Sequence, residues 1–180
     1  MAIIFYPGGF VYPEAYSPLC YKISERGYRV FLVKMPLNLA VLKPNAAQKI
    51  IDEFNLDKVV LAGHSLGGAM EAKFVYDNPN KIRGLILLAA YPGKQNNISN
   101  YNIKVLSVFS ELDGLSTPEK IENYKYLLPK DTQYVMIKGG NHSNFGYYGF
   151  QKGDNPSTIS KEEQQKIILQ NILEFLKTLE

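Results

Sequence analysis

Short apolar runs alternate with amphipathic stretches along this chain. Most of the runs are continuously apolar, as expected for strands that are covered on both faces of a sheet. The clearest are Val59–Ala62 and Leu85–Leu88. This rhythm predicts an α/β fold, a three-layer α/β/α sandwich with a mostly parallel sheet of about six strands. The predicted strands are Ile3–Tyr6, Arg29–Val33, Lys58–Ala62, Gly84–Ala89, Lys104–Phe109 and Gln133–Ile137.

The intervals between the strands carry signals for helices. Gly27 is a typical C-terminal stop, Pro118 directly after Thr117 marks a helix start, and Ser160 with Glu163 forms a capping box. We find no internal repeat or linker, and therefore expect a single domain over residues 1–180 with no separate cap or lid domain. The predicted helices are Glu14–Arg26, Asn45–Phe54, Ser65–Tyr76, Pro118–Leu127 and Ser160–Leu179.

Charge and composition narrow the possible partners and compartments. The net charge is +3 without any block of Lys or Arg, so we expect no nucleic-acid partner. The one cysteine, Cys20, cannot form an intramolecular disulfide, which fits a reducing compartment. No signal peptide is visible and no apolar run reaches the ~18 residues of a membrane span. We therefore expect a cytoplasmic protein, and the sequence leaves its oligomeric state open.

The chain enters its first predicted strand almost at once, because only Met1 and Ala2 precede Ile3. We expect either a very compact natural form or a chain from which an N-terminal segment has been removed.

A glycine-rich turn joins the third predicted strand to a helix and reads Gly63-His64-Ser65-Leu66-Gly67-Gly68. The pattern G-x-S-x-G is weak alone, because five residues recur by chance. Between a strand and a helix, however, it forms a sharp turn that lifts the serine hydroxyl above the sheet edge. Ser65 is therefore the predicted nucleophile, and the N–H of Leu66 is a predicted oxyanion donor.

A serine nucleophile needs a general base, which is usually histidine. The chain has two histidines. His64 adjoins Ser65 and must project in a different direction, so we predict a structural role for it. His142 follows the last strand, where sites form in parallel sheets, and is the predicted base. Asp113 follows the fifth strand and is the predicted acid that orients His142, with Glu111 as the alternative.

The loop after the first strand should supply a second oxyanion donor. It reads Pro7-Gly8-Gly9-Phe10, and its glycines allow the backbone to approach a reacting carbonyl. We predict the N–H of Phe10 as the donor, with Gly9 as the alternative.

Four aromatic residues, Tyr12, Phe145, Tyr147 and Tyr148, are candidates for binding the substrate. Three of them lie in the long segment Gly139–Thr158, and loops of this length are often functional. The alternative is that these rings only pin the loop to the core.

The chain resembles the α/β-hydrolase superfamily, and within it the small serine esterases related to the dienelactone-hydrolase-like group. The order Ser65, Asp113, His142 is the order of the superfamily's triad. The resemblance implies hydrolysis of a small-molecule ester through an acyl-serine, without metal or cofactor. It is carried by Phe5–Val11, Met35–Ala40, Gly63–Gly68, Asp113 and Gly139–Gly149.

The chain departs from the superfamily pattern in three places. Pro7-Gly8 stands where His-Gly is usual, dienelactone hydrolases have a cysteine in place of Ser65, and the usual strands before the first one are missing. Their absence should leave Arg29–Val33 at an uncovered sheet edge. The interval Tyr91–Asn102 is too short for a helical lid. Two alternatives stay open: an acyltransferase or perhydrolase using the same triad, and a non-catalytic ligand-binding protein on this fold.

Overall fold

The computed structural model describes residues 1–180 and contains one sheet of six strands. All neighbouring strands are parallel, in the order β2-β1-β3-β4-β5-β6. The prediction of an α/β fold with a parallel sheet of this size is confirmed, and the second predicted strand does lie at the edge. The strands are β1 (Ala2–Tyr6), β2 (Arg29–Leu32), β3 (Val59–His64), β4 (Gly84–Leu88), β5 (Lys104–Ser110) and β6 (Gln133–Ile137).

Five α-helices connect and flank the strands. The predicted helix Glu14–Arg26 is divided into a 3-10 turn, Pro13–Tyr16, and a shorter α-helix. Pro18 explains the division, because it has no N–H to continue a hydrogen-bond ladder through this point. The end of the fourth predicted helix is likewise a 3-10 turn. The helices are α1 (Ser17–Ser24), α2 (Ala46–Glu53), α3 (Leu66–Asp77), α4 (Pro118–Tyr124) and α5 (Lys161–Lys177).

Two apolar layers enclose the sheet. Side chains of α1 and α5 pack on one face, and side chains of α2 and α3 pack on the other. Strand β1 divides its residues between the layers, because successive side chains point to opposite faces. Ile3 and Phe5 join the α1/α5 layer, whereas Ile4 and Tyr6 join the α2/α3 layer. None of the helices is long and apolar enough to cross a membrane.

The parallel arrangement gathers the loops that follow the strands at one edge of the sheet. Tyr6 at the end of β1 is in register with Gly63 near the end of β3, and Ser110 of β5 is in register with Ile137 of β6. The loops after β1, β3, β5 and β6 therefore emerge side by side, and they carry every residue that the sequence nominates for catalysis.

One ionisable residue lies inside the α2/α3 layer without a partner. Glu71 of α3 is completely buried, and neither of its carboxyl oxygens has a hydrogen-bond partner. Burial raises the pKa of Glu71 well above its ordinary value, because a charged carboxylate is costly to remove from water. Glu71 is therefore protonated in the folded protein at pH values where it ionises in the unfolded chain.

This difference predicts that Glu71 makes the protein less stable as the pH rises. The native state holds a proton that the unfolded state releases, so the free energy of unfolding falls by about 1.4 kcal/mol per pH unit between the two pKa values. Urea unfolding at several pH values should show that, above pH 4.5, the free energy of unfolding changes less with pH in Glu71→Gln than in wild type. The value of 4.5 is the ordinary pKa of a glutamate carboxyl. Glu53→Gln, at an exposed position of α2, is the control. Equal slopes for wild type and Glu71→Gln would contradict the assignment.

Candidate active site

The turn between β3 and α3 holds Ser65 in an unusual backbone conformation. Its φ is 52° and its ψ is −122°, a region that L-residues occupy only under constraint. The constraint is close packing of the backbone on both sides. A Cβ atom at Gly67 would lie 2.3 Å from the carbonyl oxygen of Tyr6, and one at Gly63 would lie 2.6 Å from the Gly68 nitrogen. The turn therefore requires glycine at both positions.

Helix α3 begins at Leu66, directly after the strained serine. The N–H of a first helical residue has no acceptor within its own helix, so the Leu66 N–H is available beside Ser65. It also lies at the positive end of the helix dipole. This geometry suits the sequence-based assignment of Leu66 as an oxyanion donor.

Asp113 and His142 meet in a buried hydrogen bond. The distance between His142 Nδ1 and Asp113 Oδ2 is 2.8 Å, and both side chains are almost fully buried. An ionised carboxylate only accepts, so Nδ1 carries the proton and Nε2 is the nitrogen with a free lone pair. His142 Nε2 has no hydrogen-bond partner and is not bonded to the Ser65 hydroxyl in this structure. Such bonds are often long until substrate binds.

The Asp113 carboxylate is itself held by backbone donors. Its Oδ1 accepts hydrogen bonds from the N–H groups of Leu115 at 2.8 Å and Ser116 at 2.6 Å. These contacts leave Oδ2 free to face His142. The alternative acid, Glu111, is engaged elsewhere, because its Oε2 accepts from the Gly139 N–H at 2.9 Å.

His64 belongs to a second buried chain of hydrogen bonds. The Tyr16 hydroxyl lies 2.8 Å from His64 Nδ1 and accepts from the Gly8 N–H at 3.1 Å. Burial lowers the pKa of His64 well below its ordinary value, and nearby His142 lowers it further. The His64 ring is therefore neutral, and with Tyr16 it supports the loop after β1. Sequence reasoning missed this role of Tyr16, since an aromatic residue near a helix start gives no sign of a partner far along the chain.

The preference for Phe10 over Gly9 as second oxyanion donor needs correction. The N–H of Phe10 donates to the Asn38 carbonyl at 2.8 Å, so it is not available to a substrate oxygen in this structure. The N–H of Gly9 takes part in no backbone hydrogen bond, and a Cβ at Gly9 would lie 3.0 Å from the Leu66 side chain. Gly9 is therefore the better candidate. Local sequence could not reveal the contact with Asn38, which lies in the loop after β2.

The four candidate substrate-binding aromatics divide into two groups. Phe145 is fully buried and its ring stacks on His64 at a centroid distance of 5.4 Å, so it pins the loop and is not accessible to substrate. Tyr12, Tyr147 and Tyr148 line a cavity of about 420 Å³. The Tyr148 hydroxyl also donates to the His142 carbonyl at 3.4 Å, which connects the cavity wall to the loop that carries His142. The remaining lining residues are Phe10, Val11, Glu14 and Ala15.

Comparison with known proteins gives a match to the family described as "Alpha/beta hydrolase family", over residues 2–166. A protein of Mycobacterium phage D29 that carries the name non-heme haloperoxidase is 26% identical in an alignment of 113 positions, and the alignment covers 57% of this chain. That match covers 40% of the phage protein, so this chain corresponds to less than half of its length.

Solved structures share the fold at low sequence identity. The monoacylglycerol lipase of Paleococcus ferrophilus has a TM-score of 0.76 at 15% identity, covering 97% of this chain and 94% of the lipase. Carboxylesterase CesB of Bacillus subtilis has a TM-score of 0.74 at 13% identity, covering 97% of this chain and 83% of the esterase. At such identities the likeness concerns the fold. The narrower resemblance to the dienelactone-hydrolase-like group is not supported specifically.

The Tyr16 hydroxyl provides a test of the buried hydrogen bonds that support the loop after β1. Tyr16→Phe should lower the free energy of unfolding by about 1–3 kcal/mol, because it leaves the Gly8 N–H and His64 Nδ1 buried without partners. The measurement is urea unfolding. Tyr12→Phe is the matched control, since Tyr12 is 71% exposed, and it should change stability by less than about 0.5 kcal/mol. An equally small effect of Tyr16→Phe would argue against a stabilising role for these hydrogen bonds.

Proposed function

The chain belongs to the alpha/beta hydrolase family, and on that premise we propose that it is a serine hydrolase that cleaves carboxylic esters through an acyl-serine intermediate. The observation that carries the proposal is the buried 2.8 Å hydrogen bond between His142 and Asp113, at the same sheet edge as the strained Ser65. The esterase and lipase names among the structural neighbours support the same reaction class.

In the proposed mechanism, Ser65 is the nucleophile and His142 the general base. The Ser65 hydroxyl attacks the ester carbonyl and transfers its proton to His142 Nε2. Asp113 keeps the other proton on Nδ1 and stabilises the imidazolium that forms. His142 then protonates the leaving alcohol, and water attacks the acyl-serine by the same route in reverse.

The negative charge that develops on the carbonyl oxygen needs preorganised donors. In our proposal these are the N–H groups of Leu66 and Gly9. Leu66 directly follows Ser65, and the Leu66 side chain packs against Gly9, which supports this choice of donors. The Tyr16 hydroxyl, which also contacts His64, accepts a hydrogen bond from the N–H of the preceding residue, Gly8, and this bond supports the loop that contains Gly9.

We assign the cavity lined by Tyr12, Tyr147 and Tyr148 to one side of the ester. Its walls are mainly apolar, and Glu14 is the one ionisable acid among its lining residues. An apolar wall favours a hydrocarbon acyl or alkyl group, and the carboxylate of Glu14 disfavours an anionic one. Neutral esters of small acids are therefore the proposed substrate class.

Acyl transfer is the second candidate, and the haloperoxidase name of the phage relative favours it. An acyl-serine formed on Ser65 can pass its acyl group to peroxide or an alcohol instead of water. Both reactions need the same triad and differ only in the acceptor, so product ratios with and without added peroxide or alcohol separate them. A non-catalytic binding protein would form no acyl-serine at all.

Replacement of the nucleophile tests the proposal directly. Ser65→Ala should lower kcat for p-nitrophenyl acetate by about 10⁶-fold, because the nucleophile and base act as a unit. A fluorophosphonate probe should label wild type at Ser65, as located by peptide mass spectrometry, and should not label the variant. Ser24→Ala, at an exposed serine whose hydroxyl donates to the Tyr21 carbonyl, is the control and should keep full activity. Undiminished hydrolysis by Ser65→Ala would refute the assignment.

The cavity assignment is tested by the length of the acyl chain. Wild type should prefer short p-nitrophenyl esters, and Tyr147→Ala should raise the octanoate-to-acetate ratio of kcat/KM by about tenfold, a free-energy change of about 1.4 kcal/mol. Tyr147 is 39% exposed at the mouth of the cavity, so its removal opens the wall. Tyr126→Ala, at an exposed position outside the cavity, is the control. An unchanged ratio in Tyr147→Ala would place the acyl group elsewhere.

A further inference from the structure

The loop that carries His142 contacts the loop that carries Asp113 through a second acidic residue. Asp154 lies in the later part of the long loop between β6 and α5, and only 8% of its surface is exposed. Its Oδ1 accepts hydrogen bonds from the N–H groups of Gly114 at 3.1 Å, His142 at 3.3 Å and Asn155 at 2.9 Å. Its Oδ2 accepts from the Ser143 N–H at 2.8 Å and the Ser143 hydroxyl at 2.7 Å.

These donors come from both sides of the proposed acid–base pair. Gly114 directly follows Asp113, and Ser143 directly follows His142. One carboxylate therefore binds the backbone of both loops at the residues adjacent to the two side chains that must meet. Apart from the bonds of Asp154, two side-chain hydrogen bonds connect these loops. One joins Asp113 and His142, and the other is donated by the Gly139 N–H to Glu111.

Around Asp154 the two loop backbones pack closely, and backbone and hydroxyl donors stabilise its negative charge. A Cβ atom at Gly114 would lie 2.4 Å from the Gly153 carbonyl oxygen, so glycine is needed where the acid loop meets this segment. Burial by itself raises the pKa of Asp154, but the hydrogen bonds from Gly114, Ser143 and Asn155 outweigh it and hold the pKa below its ordinary value. Asp154 is therefore an ionised acceptor at neutral pH, and charge-assisted hydrogen bonds are stronger than neutral ones.

We propose that Asp154 is a positioning residue that fixes the distance and orientation of His142 relative to Asp113. The inference rests on the proposed function of that pair. Asp154 touches no reacting atom and lies outside the cavity assigned to the substrate; it acts by holding two backbones. Proton transfer by a histidine depends on sub-ångström placement, and a misplacement of about 1 Å can cost about 10²-fold in rate.

Two substitutions separate positioning from a simple effect of charge. Asp154→Asn removes the charge and leaves one oxygen to accept, whereas Asp154→Glu keeps the charge but moves the carboxylate out of register with its fixed N–H donors. Positioning predicts that both variants lose about 10–100-fold in kcat with little change in KM. Asp57→Asn, at an exposed aspartate distant in sequence from both loops, is the matched control and should keep wild-type kinetics.

A spectroscopic readout reports the geometry without relying on activity. The chain has two histidines, so the imidazole protons of ¹⁵N-labelled protein are readily assigned. The Nδ1 proton of His142, bonded to Asp113, should give a far-downfield resonance in wild type. This resonance should move upfield or broaden in Asp154→Asn and Asp154→Glu. Kinetics are expressed per fluorophosphonate-reactive site, so that loss of folded protein does not imitate a slower reaction.

Ser143→Ala provides a milder variant in case the substitutions at Asp154 prevent folding. It removes the hydroxyl bond to Asp154 and the bond that the Gln151 N–H donates to this hydroxyl, and it keeps the backbone N–H bonds to Asp154. A few-fold loss of kcat and a smaller shift of the resonance are therefore expected. Unchanged kcat and resonance in both Asp154 variants, with Ser65→Ala inactive, would overturn the positioning role and leave the proposed function standing. Full rescue by Asp154→Glu would also overturn it, in favour of charge. Activity of Ser65→Ala would instead overturn the proposed function, while the resonance would still report on Asp154.

Discussion

The site depends first on a steric constraint, the close approach of helix α3 to the end of strand β1. At Gly67 the helix backbone lies against the carbonyl oxygens of Tyr6 and Pro7, where a Cβ atom would come within 2.4 Å of each. Ser65, two residues before Gly67, has its unusual φ of 52° within this closely packed turn. In the same turn, the Leu66 side chain packs against Gly9 of the loop after β1. The proposed nucleophile and the proposed oxyanion donors thus lie in one closely packed region.

Buried polar groups around this turn are arranged in chains that end at backbone donors. Tyr16 accepts from Gly8 and contacts His64, while Asp113 accepts from its own loop and faces His142. The unpaired atoms are therefore informative. The Nε2 atoms of both His64 and His142 are buried without a partner, and in His142 this leaves the lone pair free for the proton of Ser65 in the proposed mechanism. Leaving such an atom unsatisfied costs free energy, which the folded protein tolerates at its proposed site of chemistry.

Much of the fold could be predicted because continuous apolar runs identify buried parallel strands. The triad candidates followed from chain order and from the presence of only two histidines. What failed depended on contacts between distant segments. The N–H of Phe10 is engaged by Asn38, and Phe145 stacks on His64; neither partner is near in sequence. For the same reason Asp154, which contacts Gly114 and Ser143, gave no local signal beyond its place in a long polar loop.

The loop after His142 answers a question that the sequence left open, whether its aromatic residues line a pocket or pin the loop. Both descriptions apply, to different residues. Phe145 is buried and anchors the loop, whereas Tyr147 and Tyr148 face the cavity. The Tyr148 hydroxyl donates to the His142 carbonyl, and the Tyr147 N–H donates to Ala15. The cavity wall and the proposed base are therefore parts of one hydrogen-bonded segment. A substitution that reshapes the wall at Tyr148 must also disturb His142, whereas Tyr147 can change the pocket alone.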